Sequence, residues 1–430
     1  MRGLVNGNTI GTGILRTPGS IATRLPSEFW FVGVWVLGGL YALLGAFAVS
    51  ELSAMIPRSG GYYVFARRAL GEFAGFAIGW TDWLAQCGTT AAVAIVIGEY
   101  MGDLVPALDG RGREMSTAIV VTVGMALVQW RGIRWASAVQ NLTSALKAFG
   151  FVALVAVIFA LARPAPSAEA PPVPAVFSLV AFILALQAVI YAYDGWYGVI
   201  YFGEELRDPA RDAPRSTIGG VFSLMAIYVL VNLALVYALP LSRIAGQNLA
   251  IGTVAESIFG RYADTLIRVL TIVSMLSGIN AYHLMASRIP FAMGKDRLLP
   301  VAATRVNPGG TPTVSLLSSM LAAVAFILMA SVQVGEATAF DRALAITAFF
   351  FVVNYLVAYL SVFVLRRREP EAARPYRALG YPWTTGLALA GSLAFLAGAV
   401  ATDTANSVWA AGVLALSYPL FLLIRRGRAV

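Results

Sequence analysis

Two short polar interruptions stand out in a chain that is otherwise strongly apolar: Gly11-Thr12-Gly13 with Pro18-Gly19 beyond it, and Asp194-Gly195 flanked by Tyr191, Trp196 and Gly198. Each glycine lowers helix propensity by about 1 kcal/mol, and a carboxylate at mid-bilayer costs ~2.5–3.5 kcal/mol on insertion scales. Residues of these types mark places where a helix breaks, and a break exposes groups that a continuous helix hides. A half-helix that starts there presents unpaired amides and a positive dipole end, which suit an anion. A half-helix that stops there presents carbonyls, which suit a cation. Gly11 and Gly13 have no Cβ, so backbone and ligand can approach closely. The alternative, glycines that only pack helices, is weakened by the second break.

The elements that must hold these breaks are membrane helices. Hydrophobic residues make up 59% and charged residues 12% of the 430, about half the roughly 25% charge of a soluble protein. Uncharged runs at 29–50, 170–193, 216–242, 306–335, 343–365, 378–402 and 404–424 are each long enough to cross ~30 Å of hydrocarbon. Counting apolar stretches between turn and charge signals predicts twelve spans, at 4–25, 29–55, 73–105, 115–130, 135–162, 176–201, 216–240, 263–286, 312–331, 342–365, 381–402 and 406–424. With the N-terminus inside, 21 of the 31 basic residues fall in inner segments, which predicts both termini to be cytoplasmic in a multi-pass protein of the cell membrane. The two broken spans, first and sixth, head two sets of five. An odd repeat length inverts the second copy, so residues 1–162 are expected to form one inverted repeat, 176–365 the other, and 366–430 an inner loop with spans 11 and 12.

The same counts exclude several functions. The net charge of +9 lies in alternate loops, so it reports topology rather than a nucleic-acid partner. One cysteine, Cys87, and one histidine, His283, leave no disulfide framework and no Cys/His metal cluster within this chain. Gly294-Lys295 lacks the upstream glycine of a phosphate-binding loop, and Tyr193-Asp194 has no second Gly-x-Gly-Asp of an intramembrane protease. No enzyme, cofactor or metal is expected. Glycine, proline and arginine inside residues 1–25 argue against a cleavable signal peptide.

Gly7-Asn8-Thr9-Ile10-Gly11-Thr12-Gly13-Ile14 with Pro18-Gly19, the run from Glu51 to Gly61 with Tyr63, and Tyr191-Ala192-Tyr193-Asp194-Gly195-Trp196 with Glu204-Glu205 and Asp208-Pro209 resemble the amino acid, polyamine and organocation superfamily. Ser287-Arg288, Gly294, Asp296, Leu298-Leu299-Pro300 and Thr311-Pro312 extend the resemblance, which is nearest to the branch similar to L-amino-acid transporters. Two features depart from the pattern: few residues precede Gly11, giving a short inner half to the first span, and Arg16 sits one turn after the break.

The resemblance implies an all-α fold of about twelve helices with broken helices 1 and 6, and an amino acid as substrate. Its carboxylate is expected at the amides of Thr12, Gly13 and Ile14, with Ile10 and Gly11 beside them. Its ammonium is expected at carbonyls near Asn8 to Ile10 and near Ile190 and Tyr191. Tyr191 corresponds to the family's gating aromatic, and Trp196 and Gly195 border the side-chain pocket. Asp194 is read as binding the ammonium, carrying a proton or capping the broken backbone, of which capping demands least. Lys147, one of two lysines, stands thirteen residues from Arg134, about 20 Å along a helix, which favours mid-membrane over snorkelling. The resemblance implies that Lys147 stands where sodium-coupled relatives bind a cation. His283 reads as a packing residue; Asp82, Glu99 and Asp103 as lining a water path or the outer interface; Arg288, Glu204 and Glu205 as an inner charge network. The function implied is a secondary active transporter that works by alternating access without sodium, by exchange or proton coupling. A polyamine or organic-cation carrier and a channel remain alternatives, an ancillary subunit remains open, and the lipid bilayer is the one structural partner expected.

Overall fold

The computed structural model describes residues 12–162, 173–174, 176–247, 249–260, 262–330, 333–334 and 337–427. In chain order its helices are α1 Thr12–Ala22, α2 Glu28–Met55, α3 Tyr62–Leu70, α4 Glu72–Leu104, α5 Arg111–Trp130, α6 Ile133–Leu161, α7 Leu179–Tyr193, α8 Pro209–Ala238, α9 Leu241–Ile244, α10 Ala250–Phe259, α11 Tyr262–Lys295, α12 Thr313–Ala330, α13 Ala339–Arg368, α14 Trp383–Thr402 and α15 Thr404–Gly427. Short 3₁₀ turns follow at Pro106–Leu108, Gly198–Glu205 and Val301–Thr304, and a two-residue hairpin pairs Gln333–Val334 with Ala337–Thr338. Among the described residues ten helices are long and apolar enough to cross a membrane. The chain is therefore an all-α polytopic membrane protein, the architecture in which every backbone amide and carbonyl is satisfied inside its own segment.

Helices occupy the expected spans, with instructive differences. The first span is represented by α1, because residues 1–11 lie outside the described part. α11 runs nine residues past the expected end at 286, carrying Arg288 and Lys295 inside the helix. The reason is pairing: Arg288 donates to Glu205 at 3.1–3.2 Å and lies 4.9 Å from the Phe202 ring, so its charge no longer forces a loop. α3, α9 and α10, which are too short for a span, fill segments read as loops.

The chain divides into two compact units that interleave in sequence. The first holds the described residues up to Leu43 together with Gln140–Trp196 and Gly219–Gly278. The second holds Leu44–Val139, Tyr197–Ile218 and the described residues from Ile279 onward.

In the second unit the family-like loops knit into charge clusters. Asp296 accepts from Arg58 at 2.9 Å and from the Tyr63 hydroxyl at 2.7 Å, and pairs with Arg67 at 2.7 Å. Gly61, at φ 71°, makes room for the Tyr201 ring, which would lie 2.2 Å from a Cβ there, and Gly203 packs on the backbone of Arg58. Lys295 pairs with Glu204 at 2.7 Å. Asp82 is fully buried and accepts from Tyr201 at 2.8 Å and from Gln86 at 3.2 Å, so it belongs to an interior polar knot rather than a water path. Asp103 is exposed at the end of α4, and His283 is buried with Nε2 donating to the Thr122 carbonyl at 3.3 Å, a packing role.

Burial alone would raise the Asp296 carboxyl, but hydrogen bonds from Arg58 and Tyr63 and the charges of Arg58 and Arg67 outweigh it and hold the group below its ordinary range. A carboxyl depressed in this way adds stability that is complete above the unfolded pKa of about 3.9 and is lost as pH falls through the lower folded value. At pH 7, Asp296→Asn is expected to lower the thermal midpoint of the detergent-purified protein, by the loss of charged hydrogen bonds of about 1.5–3 kcal/mol. The gap should close below pH ~4. A midpoint difference independent of pH would remove the charge explanation.

Candidate functional site

The break at the end of α7 forms as its residue types require. The helix stops at Tyr193; Asp194 takes φ −56°, ψ 150°, with its N–H donating to the Tyr191 carbonyl at 3.0 Å, and Gly195 adopts φ 99°, a left-handed value that favours glycine. Four carbonyls at such an end lack helical partners. The Tyr191 carbonyl takes the Asp194 amide, and the Ala192 carbonyl takes the Tyr228 hydroxyl at 3.1 Å. Each carbonyl keeps a second lone pair for a cationic ligand.

α1 lies against this end. A Cβ on Gly13 would sit 2.8 Å from Ala192 Cα and 3.1 Å from its carbonyl oxygen, so backbone meets backbone here and glycine is required. Gly13 therefore packs the helices, and by the same contact it sets residues 12–14 beside Tyr191 to Tyr193. Ile14 is buried, while Ile190, Tyr191 and Asp194 are half-buried and Trp196 is 2% exposed. Thr12 begins the described part of α1. Ile10 and Gly11 lie outside the described residues, as do Asn8 and Thr9.

Lys147 stands near the middle of α6 and is only 5% exposed, which rules out snorkelling. It borders a narrow cavity of about 40 Å³ with Gly150 and Phe151 of α6 and with Ile267, Thr271 and Ser274 of α11.

Residues that sequence reasoning passed over brace the break. Tyr193 donates to the Trp35 carbonyl at 3.1 Å, its ring lies 4.8 Å from that of Tyr228, and Trp35 meets Tyr228 edge-on at 5.7 Å. Gly38 and Gly39 of α2 admit this cluster, since Cβ atoms there would meet Val189 at 2.4 Å and Tyr193 Oη at 3.0 Å. Arg24 donates to the Leu184 carbonyl at 3.2 Å. At the far end of α1, Gly19 touches the backbone of Gln247 and accepts from Gly246 at 3.0 Å. The one available signal was the pair of tyrosines in uncharged runs, where a hydroxyl needs a partner.

The family model described as Amino acid permease matches residues 3–424. The chain is 30% identical over 408 residues to the serine/threonine exchanger SteT of Bacillus subtilis, covering 93% of this chain and 90% of that protein. It is 27% identical over 392 residues to Asc-type amino acid transporter 1 of Mus musculus, covering 87% and 71%. The large neutral amino acids transporter small subunit 2 of Homo sapiens is 26% identical over 392 residues, covering 87% and 70%.

Proposed function

The chain belongs to the amino acid permease family, and from that premise we propose that it carries amino acids across the cell membrane as a sodium-independent secondary transporter. The observation that carries the reading is the contact of Gly13 with Ala192, which brings the start of α1 to the broken end of α7. A substrate carboxylate would take the amides of Thr12, Gly13 and Ile14. Its ammonium would take the carbonyls near Ile190 and Tyr191, with Ile10 and Gly11 completing the first break. Tyr191 would gate access, Asp194 would cap or bind at the break, and Trp196 would border the side-chain pocket. The relatives' names specify serine, threonine and large neutral amino acids, so neutral amino acids come first as substrates. Two inverted repeats, 1–162 and 176–365, would move in alternation about this point, with both termini cytoplasmic. The names also include an exchanger, which supports exchange over proton symport.

Sodium independence rests on Lys147. Its buried ammonium would occupy the region in which a coupling cation would otherwise bind, and two charges ~4 Å apart repel by about 4 kcal/mol at an effective dielectric of 20. Proteoliposomes loaded with unlabelled serine are expected to take up labelled serine equally with an inward sodium gradient and with choline on both sides. Strong stimulation by the gradient would defeat the sodium-independent reading. Failure of every neutral amino acid to exchange, with uptake of a polyamine instead, would defeat the substrate reading.

A further inference from the structure

α1 lies against α7 and meets it near both of its ends. Just beyond the far end of α1, Arg24 donates to the Leu184 carbonyl at 3.2 Å, a directed bond. Near the break the contact is one of packing, with the backbone of Gly13 against Ala192. Packed atoms resist approach far more steeply than separation, so this contact sets how close α1 can come and does little to keep Ala192 in its place. Something on another side of Ala192 has to do that.

Tyr228 of α8 stands on that side. Its hydroxyl donates to the Ala192 carbonyl at 3.1 Å, and its side chain is fully buried. A tyrosine hydroxyl is too far from its own backbone to bond within its helix as serine or threonine does, so it must address another element. Phenylalanine would fill the same space without that requirement. The aim of the hydroxyl is set by what surrounds the ring. Tyr193 lies 4.8 Å away and is itself anchored to the Trp35 carbonyl, while the Trp35 ring meets Tyr228 edge-on at 5.7 Å. One turn earlier on the same face of α8, Met225 fits a notch at Gly39 of α2, where a Cβ would lie 2.8 Å from its Cγ. With only two side-chain torsions to fix, a tyrosine ring held in this way keeps its direction at small entropic cost.

We propose that Tyr228 is a positioning residue of the transport site. By holding the Ala192 carbonyl it fixes where α7 ends, and through the contact of Ala192 with Gly13 it fixes where the amides of Thr12, Gly13 and Ile14 stand. Its effect on substrate rests on the transport reading, in which those amides take the carboxylate and the neighbouring Tyr191 carbonyl takes the ammonium. Tyr228 acts through Ala192. Its influence therefore falls on the two groups that every amino acid shares, and not on the side chain that distinguishes one from another.

Tyr228→Phe removes one oxygen and keeps the ring, so the fold is expected to survive. The detergent-purified full chain, wild type and variant, is titrated with serine, threonine and leucine, and Kd is referred to the folded fraction. Hydrogen exchange is followed in peptides from α1, from the end of α7 and from α6. Loss of one neutral hydrogen bond corresponds to a change of about two- to tenfold. All three amino acids are expected to bind more weakly by one common factor in that range, with faster exchange in α1 and at the end of α7 and none of this change in α6. Unchanged binding, whatever the thermal midpoint does, would overturn the proposal, as would weaker binding with no change in α1. Different factors for the three amino acids would also overturn it, because they would put the ring against the substrate side chain. Failure of the wild type to bind any of the three would defeat the transport reading instead, and the exchange contrast in α1 would then decide the positioning role by itself.

Discussion

Uptake by Gly13→Val should fall to background, about 100-fold or more, the scale on which a ~1 Å misplacement of a binding geometry is felt. The added Cβ alone would lie 2.8 Å from Ala192 Cα and 3.1 Å from the Ala192 carbonyl, both backbone atoms that cannot swing aside, so α1 must move off α7. Overpacking of this kind costs about 1–3 kcal/mol, and the two further methyls of valine would stand near the amides proposed for the substrate carboxylate. Gly13→Ala should therefore fall between wild type and valine. The control is Gly38→Ala in the same unit, whose Cβ would meet the Val189 side chain at 2.4 Å. It strains the same helix through a movable side chain, so it is expected to lower the thermal midpoint while keeping most uptake. Equal loss of uptake in the Gly13 and Gly38 variants would make Gly13 a packing residue and nothing more.

The largest loss of stability is expected from Glu51. Its carboxylate is 2% exposed and receives Arg366 through two hydrogen bonds of 2.6 and 2.9 Å, the Ala378 amide at 2.7 Å, and the charge of Arg374 at 3.4 Å. Arg366 also lies over the Tyr381 ring, 3.8 Å from its centroid. One side chain thus fastens the end of α2 to the end of α13 and to the segment that leads into α14. Glu51→Ala removes the acceptor and leaves the guanidiniums and the amide facing an apolar gap; breaking a buried pair from one side costs about 3–5 kcal/mol. Arg366 keeps some access to water, which places the expected cost toward the lower end. Glu51→Gln should lie between, because it can still accept from Ala378. Size-exclusion after a temperature ramp reads the order wild type, Gln, Ala, and an alanine variant as stable as wild type would show that the cluster contributes no net stability.

Much of this architecture was legible in the residues, and the reason is specific to membranes. Where no water can pair a backbone amide, an uncharged run of twenty residues has one available structure, so 29–50, 343–365 and 404–424 read directly as α2, α13 and α15. The break at Asp194-Gly195 was legible for the complementary reason: an acid and a glycine in such a run are too costly for continuous helix, and the observed Gly195 φ of 99° is the conformation glycine supplies. Charged residues were less reliable guides. Arg288 reads as a loop residue until Glu205 and Phe202, some eighty positions earlier in the chain, are seen to pair with it inside α11. Asp82 reads as a wall of a water path until Tyr201 is found on it.

By itself the sequence determined what each segment had to be: which runs form membrane-length helices, where the run ending at Tyr193 breaks, and which backbone groups that break exposes. These are local matters, set by hydrophobicity, glycine freedom and the price of a charge in hydrocarbon. The tertiary structure alone decided which residues those groups face. That Gly13 meets Ala192, that Tyr228 takes one carbonyl of the α7 end, and that Asp82 receives Tyr201 depend on contacts between segments distant in the chain. Tyr193 and Tyr228 show the difference most plainly. As residues they require only that a buried hydroxyl find an acceptor, and many carbonyls would serve; helix packing presents the carbonyls of Trp35 and Ala192, each 3.1 Å from its hydroxyl.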